Sequence, residues 1–476
     1  MNKSGKFNKE IVIMFDSKIY AQRRNKLKKQ LKSGIALFLG NEESPMNYRD
    51  NPFHFRQDSS FLYFFGLDSP GLAGIVDVDE EKDIIFGNDL DVEDIIWMGD
   101  LPKLKDRALE AGVSHTLPYN ELDKILKTAI SKGKKIHFLP PYRMENTTKL
   151  CRLLGLCESM VKTYASEELI KAVVEQRSIK IKAEIDEIEK AHSIAYEMHT
   201  TAMKMTKPGI YEYEIAGRIE GIAAAMGGMI SFPIILTING QTLHNHYHGN
   251  KLVTGRLLVN DSGAETAMHY ASDITRTIPV SGKFTSKQKD IYNIVLDAQE
   301  SAIKAIKPGY KNKNTHFVAV KKIAKGLTGL GLMKGNTDEA VKAGAHALFM
   351  PHGLGHMMGL DVHDMEDVGE NYVGYDEKTK RSDQFGLAYL RMAKELEPGH
   401  VLTVEPGIYF IPALIDKWKK EKKHLDFINY NKVDQYRDFG GIRIEDNVVV
   451  TKTGYRVIGK TIPKTTDDIE AITGTY

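Results

Sequence analysis

Four apolar, strand-length runs in the second half of the chain end in or carry a carboxylate, and this pattern narrows the available folds more than any other feature. The runs are LLVNDSG with Asp261, ASDITRTIP with Asp273, VLTVEPGIY with Glu405 and GGIRIEDN with Glu445. A carboxylate buried at the end of an apolar strand is costly unless it is paired or metal-bound. Two such groups brought close repel unless a cation or a proton intervenes. A further segment, MPHGLGHMMGLDVHD, adds His356. Four carboxylates and one imidazole form a set rich in hard oxygen, which suits two divalent cations sharing carboxylates better than a thiolate-rich structural zinc.

Each segment alone also admits a plainer role. Asp261 stands where an apolar strand meets Asn-Asp-Ser-Gly, and a turn aspartate is the simpler reading there. Period-two alternation puts Asp273, Thr275 and Thr277 on one strand face, which solvent alone would satisfy. Thr403 and Glu405 share a face opposite Leu402 and Val404, as Arg443 and Glu445 do opposite Ile442 and Ile444. An Arg443–Glu pair is the structural alternative in the last case. The His352-Gly-Leu-Gly-His356 segment is too glycine-rich for an H-E-x-x-H zinc helix. Read as extended chain, its two histidines share a face, as do Asp361 and His363, and histidines so interleaved with glycine line a site. His244, His246 and His248 alternate in LHNHYHG, where one functional residue and two solvated ones are expected.

Bulk properties remove several function classes. The 476 residues exceed one compact core, so two domains are expected. A net charge of +2 gives no global attraction to nucleic acid or to an acidic membrane, and the basic run 417–423 reads as a solvated face. The apolar run 11–15 is too short for a signal segment, and no stretch approaches the ~20 residues of a membrane span. The two cysteines, Cys151 and Cys157, suggest neither a disulfide framework nor a zinc ribbon and fit a reducing, cytoplasmic compartment.

The first part of the chain alternates strand-length runs (33–40, 72–78, 82–87, 134–140) with helix-like stretches (17–31, 101–111), an α/β domain without a glycine-rich phosphate loop. The aromatic piece FRQDSSFLYFFG (55–66) reads as packing. Helical periodicity covers 179–205, ended by Lys207-Pro208-Gly209, and a second helix spans 213–226. The boundary falls within 165–178, giving domains of 1–170 and 171–476. Beyond Ser231 the chain turns strand-rich, with no repeat at solenoid periods.

Taken in order, these segments resemble the pita-bread metallopeptidase family, M24, whose metal signature Asp, Asp, His, Glu, Glu falls on Asp261, Asp273, His356, Glu405 and Glu445. The likeness runs over about 175–460, and DITRT, HGLGH, GLDVHD, VEPGIY and GIRIEDN agree as well as the ligands. FRQDSSFLYFFGLDSPG and Ile96-Trp97-Met98-Gly99 are similar to the N-terminal domain of the Xaa-Pro aminopeptidase (aminopeptidase P) and prolidase group. The resemblance implies an α/β N-terminal domain followed by an α+β pita-bread (creatinase/aminopeptidase) catalytic domain. It implies two divalent ions bridged by Asp273 and Glu445, with Asp261 completing one site and His356 and Glu405 the other. Manganese is the first choice, with cobalt or zinc tolerated. A bridging hydroxide would attack the carbonyl preceding proline, and Glu405 would shuttle its proton. His244 and His363 would hydrogen-bond the substrate and the oxyanion, while His352, Arg443 and Tyr409 would shape the proline subsite.

The activity so implied is release of the N-terminal residue from peptides with proline second. Prolidase, which cleaves dipeptides, is the alternative; creatinase-like metal-free hydrolysis and a non-enzymatic pita-bread binding module stand behind it. A homo-oligomer, dimer or tetramer, is also implied, with Trp97 near a neighbouring copy's site. Two segments depart from the family pattern: SGAETAMHYAS is one residue longer than usual, and the connection 366–397 is long enough to reshape substrate access.

Overall fold

A computed structural model describes residues 14–475, and the chain divides into two compact units at Gln176 and Arg177. The run 11–15 begins outside the described residues. No helix among the described residues is long and apolar enough to cross a membrane.

The first unit is built on a five-stranded mixed sheet in the order His115–Leu117, Lys82–Phe86, Ala73–Asp77, Ile35–Leu39, Ile136–His137. Its three central strands are antiparallel and the two edge strands pair parallel. Ile35, Leu37, Ile75 and Phe86 meet Leu122, Leu126 and Leu150 of the covering helices in one core. The aromatic piece is a helix, Ser59–Phe65, capped by the Asp58 side chain and buried along its whole length. Each buried phenylalanine there contributes roughly 1.5–3 kcal/mol. Gly74 is required by this packing, because a Cβ on it would lie 2.5 Å from the Phe65 ring. The predicted 101–111 helix is shorter, Leu104–Glu110. Both cysteines are free thiols.

The second unit opens with the helices Lys182–Met205 and Glu212–Ala225 and later repeats that pairing with Ser286–Ala305 and Asn312–Gly329. Lys-Pro-Gly joins each pair, at 207–209 and 307–309, and both glycines take positive φ. The strand-rich expectation beyond Ser231 therefore needs correction: the later pair is a long helical hairpin between the site-bearing segments. The first helix starts at Lys182 rather than 179, with Ile181 an exposed N-cap, and Glu184 and Glu187 are buried.

Short antiparallel sheets carry the carboxylates. Leu257–Ser262 pairs with Ile274–Pro279 on one side and Ile235–Thr237 on the other. Val401–Val404 pairs with Asp446–Val450, and Gly407–Tyr409 pairs with Gly441–Arg443. Every residue of the 274–279 strand is buried, so the Thr275 and Thr277 face is not solvated. The extended reading of 352–363 holds in part. Leu354, His356 and Met358 share backbone hydrogen bonds with Glu405, Thr403 and Val401 in an antiparallel pairing around the Met357–Leu402 bridge, and the chain bends away after Met358. Its glycines allow this: a Cβ on Gly355 would lie 2.1 Å from the Thr403 carbonyl oxygen.

Candidate metal centre and active site

Backbone geometry delivers each carboxylate. Asp261 stands opposite Thr275 in the 257–262/274–279 ladder, and Asp273 immediately precedes the second of these strands. The Glu445 N–H donates to the Thr275 carbonyl at 3.1 Å, drawing the 441–450 segment onto the same place. Thr403 holds the histidine segment at both backbone groups. Its N–H donates to His356 O at 3.0 Å, and its hydroxyl accepts from His356 N at 3.1 Å. The Glu405 N–H donates to Leu354 O at 2.8 Å.

Asp261, Asp273, His356, Glu405 and Glu445 all line one cavity of about 510 Å³. Ligand atoms of Asp273, His356 and Glu445 lie within 4.8 Å of one another. His356 Nδ1 donates to the Met357 carbonyl at 3.0 Å, which leaves Nε2 as the ligating nitrogen, 3.3 Å from Asp273 and 3.8 Å from Glu405. Burial holds this imidazole neutral, its pKa lowered to about 4. Burial, reinforced by neighbouring carboxylates, pushes Asp273, Glu405 and Glu445 well above the usual carboxylate range.

This donor set fits divalent cations. Asp261 Oδ1, Asp273 Oδ1 and Glu445 Oε1 are buried and accept no hydrogen bond from any of the described residues. Buried polar atoms are normally satisfied, and a cation shared by such oxygens supplies the missing partner and offsets the repulsion that raises the pKa values of Asp273 and Glu445. The protein's own positive charge reaches only the other Asp261 oxygen: Arg443 donates to Asp261 Oδ2 at 2.5 Å, to Thr275 Oγ1 at 3.1 Å and to the Tyr409 hydroxyl at 2.9 Å.

The remaining predicted residues are placed in different ways. His244 and His246 line the cavity, whereas His248 contacts the Ile234 carbonyl at 3.0 Å. His352 and Arg443 are on the wall. Tyr409 is not; it is wholly buried, with its hydroxyl between Arg443 and His352 Nε2 at 3.0 Å. It therefore holds two wall residues from behind. His363 lies edge-on to His356 with ring centroids 4.1 Å apart. Its Nδ1 is 2.6 Å from Glu366 Oε2 and 3.0 Å from Arg391 Nη1; the shorter contact, to a carboxylate, favours the proton on Nδ1 and leaves Nε2 its lone pair. Asp361, its partner in the extended reading, instead pairs with Arg177 at 2.8 Å.

Sequence reasoning missed Arg391, which lines the cavity from the 366–397 connection and pairs with Glu366 and Glu370. No periodic signal marks it. It also did not assign a role to Thr275, which donates to Glu445 Oε2 at 2.7 Å, although alternation had put it on Asp273's face.

A buried polycarboxylate cluster open to a cavity of about 510 Å³ is a candidate divalent-metal site. Comparison with known proteins makes this specific. The profile of Metallopeptidase family M24 matches residues 186–452, and that of the aminopeptidase P N-terminal domain matches 20–137. The chain is 33% identical to human Xaa-Pro dipeptidase over 471 residues, covering 95% of this chain and 92% of that one. It is 34% identical to a probable Xaa-Pro aminopeptidase of Aspergillus fumigatus over 436 residues, 89% of each. The solved structure of the Pseudomonas aeruginosa aminopeptidase PepP superposes with a TM-score of 0.79 at 29% identity, over 97% of this chain and 98% of that one. An Escherichia coli aminopeptidase P matches with the same score and identity over 96% and 98%. The chain belongs to metallopeptidase family M24 and carries the aminopeptidase P N-terminal domain.

Proposed function

We propose that this chain is a dinuclear metallo-aminopeptidase that releases the N-terminal residue from peptides with proline in second position. The observation that carries the reading is the buried Asp273–His356–Glu445 cluster, with orphaned carboxylate oxygens, opening on the cavity. Asp261, Asp273, His356, Glu405 and Glu445 would hold the ions, Asp273 and Glu445 serving both; manganese is the first choice, cobalt or zinc next. Paired divalent ions at such a site supply an activated water and polarise the scissile carbonyl.

The chain's own residues do the rest. Glu405, half-buried beside Glu445, has a raised proton affinity and takes and returns the proton. His244, on the wall, donates to the oxygen that gains charge. His363, with its proton on Nδ1 towards Glu366, accepts from a substrate N–H through Nε2. Phe232, Pro233, Ile235, Leu243 and Val362 give the cavity an apolar wall that suits a proline ring. An Xaa-Pro amide has no N–H for an ordinary protease to bind, so shape must provide the grip. His352 contributes to it, held rigid by Tyr409 and by the Gly353 carbonyl 2.7 Å from Nδ1.

Arg391 favours a second reading. A guanidinium on the wall is the group that would bind the free carboxylate of an Xaa-Pro dipeptide, and the human relative is named a dipeptidase. Its charge is already matched by Glu366 and Glu370, which supports the aminopeptidase reading first. Parallel assays of Xaa-Pro dipeptides and Xaa-Pro-Yaa tripeptides separate the two. Tripeptide cleavage is expected, and activity confined to dipeptides would overturn the first reading. We place the N-terminal domain at 1–170 and the catalytic domain at 171–476, the protein in the cytoplasm and its working form as a homo-oligomer. The exposed apolar side chains of the helix Val92–Met98 support that last point.

A further inference from the structure

Asp273 precedes the strand Ile274–Pro279, and Glu445 lies between the strands Gly441–Arg443 and Asp446–Val450 of other sheets. The backbone hydrogen bond from the Glu445 N–H to the Thr275 carbonyl joins the two segments but does not reach the Asp273 peptide, which a side chain holds. The Asn447 amide donates through Nδ2 to the Asp273 carbonyl at 2.5 Å and accepts through Oδ1 from the Asp273 N–H at 3.1 Å. Both peptide groups flanking the Asp273 side chain are thereby held by one planar amide that is wholly buried. Asn447 lies two residues beyond Glu445 and pairs in register with Thr403, the residue that grips the His356 backbone. Its own carbonyl accepts from the Ile458 N–H at 2.8 Å, which anchors it to the rest of the sheet.

Neighbouring groups reinforce the frame without duplicating it. Buried Arg276 donates to the Thr275 and Glu445 carbonyls at 2.9 and 2.6 Å and to Asp446 Oδ1 at 2.7 Å. Those bonds fix Glu445 and its neighbours but leave the Asp273 peptide to Asn447. A rotation of that peptide swings the Asp273 carboxylate relative to Glu445, and a shared divalent ion feels such a shift directly.

Resting on the two-ion reading above, we propose that Asn447 is a positioning residue that sets the spacing of the Asp273 and Glu445 carboxylates, and with it the affinity and coordination of a second divalent ion shared between them.

Co²⁺ alone is the probe, with stoichiometry from titration calorimetry, geometry from the visible absorption spectrum, and the melting temperature of the metal-free chain as control. In Asn447→Ala the second ion is expected to bind about 10- to 100-fold more weakly. The absorption spectrum at saturating Co²⁺ is expected to change, and kcat to fall with KM for an Xaa-Pro-Yaa peptide unchanged. Asn447→Asp keeps the acceptor for the Asp273 N–H but turns an anionic oxygen towards its carbonyl. It is expected to show the same spectral change, and it decides the question if the alanine variant does not fold. Two Co²⁺ bound with wild-type affinity and spectrum by the variants overturn the proposal, whatever the melting temperature. A wild-type chain that takes up fewer than two Co²⁺ overturns the two-ion reading itself.

Discussion

At the scale of single residues, the cluster makes the metal-free protein an electrostatic misfit. Asp273, Glu405 and Glu445 have folded-state pKa values raised by burial and by one another. A group raised in this way stabilises the fold at low pH, and that contribution is lost as pH rises through the folded value. Asp273→Asn removes one charge while keeping the shape. At pH 7.5 with chelator, the variant is expected to melt above the wild type. It is also expected to lose the stabilisation by Mn²⁺ and at least about a hundredfold in kcat, since even outer-shell partners cost 10- to 100-fold. Wild-type activity in this variant would remove Asp273 from the ligand set. His316 offers the opposite sign. It is wholly buried with neither ring nitrogen bonded to protein, and burial lowers its pKa to about 3. The unfolded chain takes up a proton below pH ~6.5 that the folded chain refuses, so stability is lost as pH falls from there towards 3. His316→Leu is therefore expected to gain about 2 kcal/mol on the wild type between pH 7.5 and pH 5 in denaturant titrations. An equal difference at both pH values would show that His316 titrates normally. The ligand set was legible in the sequence because buried acid at strand ends is chemically expensive. Arg391 was not, since its place on the wall depends on an irregular connection held by Glu366, Glu370 and a small core of Tyr375, Leu387 and Leu390.

At the scale of elements, the same contrast holds. The strands around Asp261, Asp273, Glu405 and Glu445 were legible from apolar runs and turn residues. The helix Ser59–Phe65 was not, because a helix buried on every side has no amphipathic stripe to betray its period. The helical hairpin 286–329 carries a clear cue that went unread, a second Lys-Pro-Gly one hundred positions after the first. The 352–363 segment is extended only where it pairs with the 401–405 backbone, and Gly355 serves that close approach; past Met358 it bends, which alternation did not reveal. Gly355→Ala tests this. The added methyl meets a strand carbonyl that has no room to move, so a loss of roughly 1–3 kcal/mol is expected. Mn²⁺ uptake should weaken as His356 is displaced. Unchanged melting and uptake would mean that the Gly355–Thr403 approach does not position the histidine.

For the whole molecule, resemblance supplied what residue patterns did not: which strands neighbour which, and that the first unit belongs with the second in one family of enzymes. Spacing alone could not bring Asp261 and Glu445 together across 184 positions. Assembly is also a property of this scale. The helix Val92–Met98 buries none of its residues, and Trp97 is 80% exposed. Substituting a residue that packs against nothing within its own chain changes stability by no more than about 0.5 kcal/mol. Trp97→Glu should thus melt like the wild type yet sediment as a smaller species. Identical sedimentation of the two would show that this helix is not an interface. The central claim is most directly tested by measuring bound metal and tripeptide cleavage on the same preparation. The chain stripped of metal should leave an Xaa-Pro-Yaa peptide intact, and uptake of two Mn²⁺ per chain should restore release of its first residue. Full cleavage without metal, or two bound ions with no cleavage before proline, would contradict it.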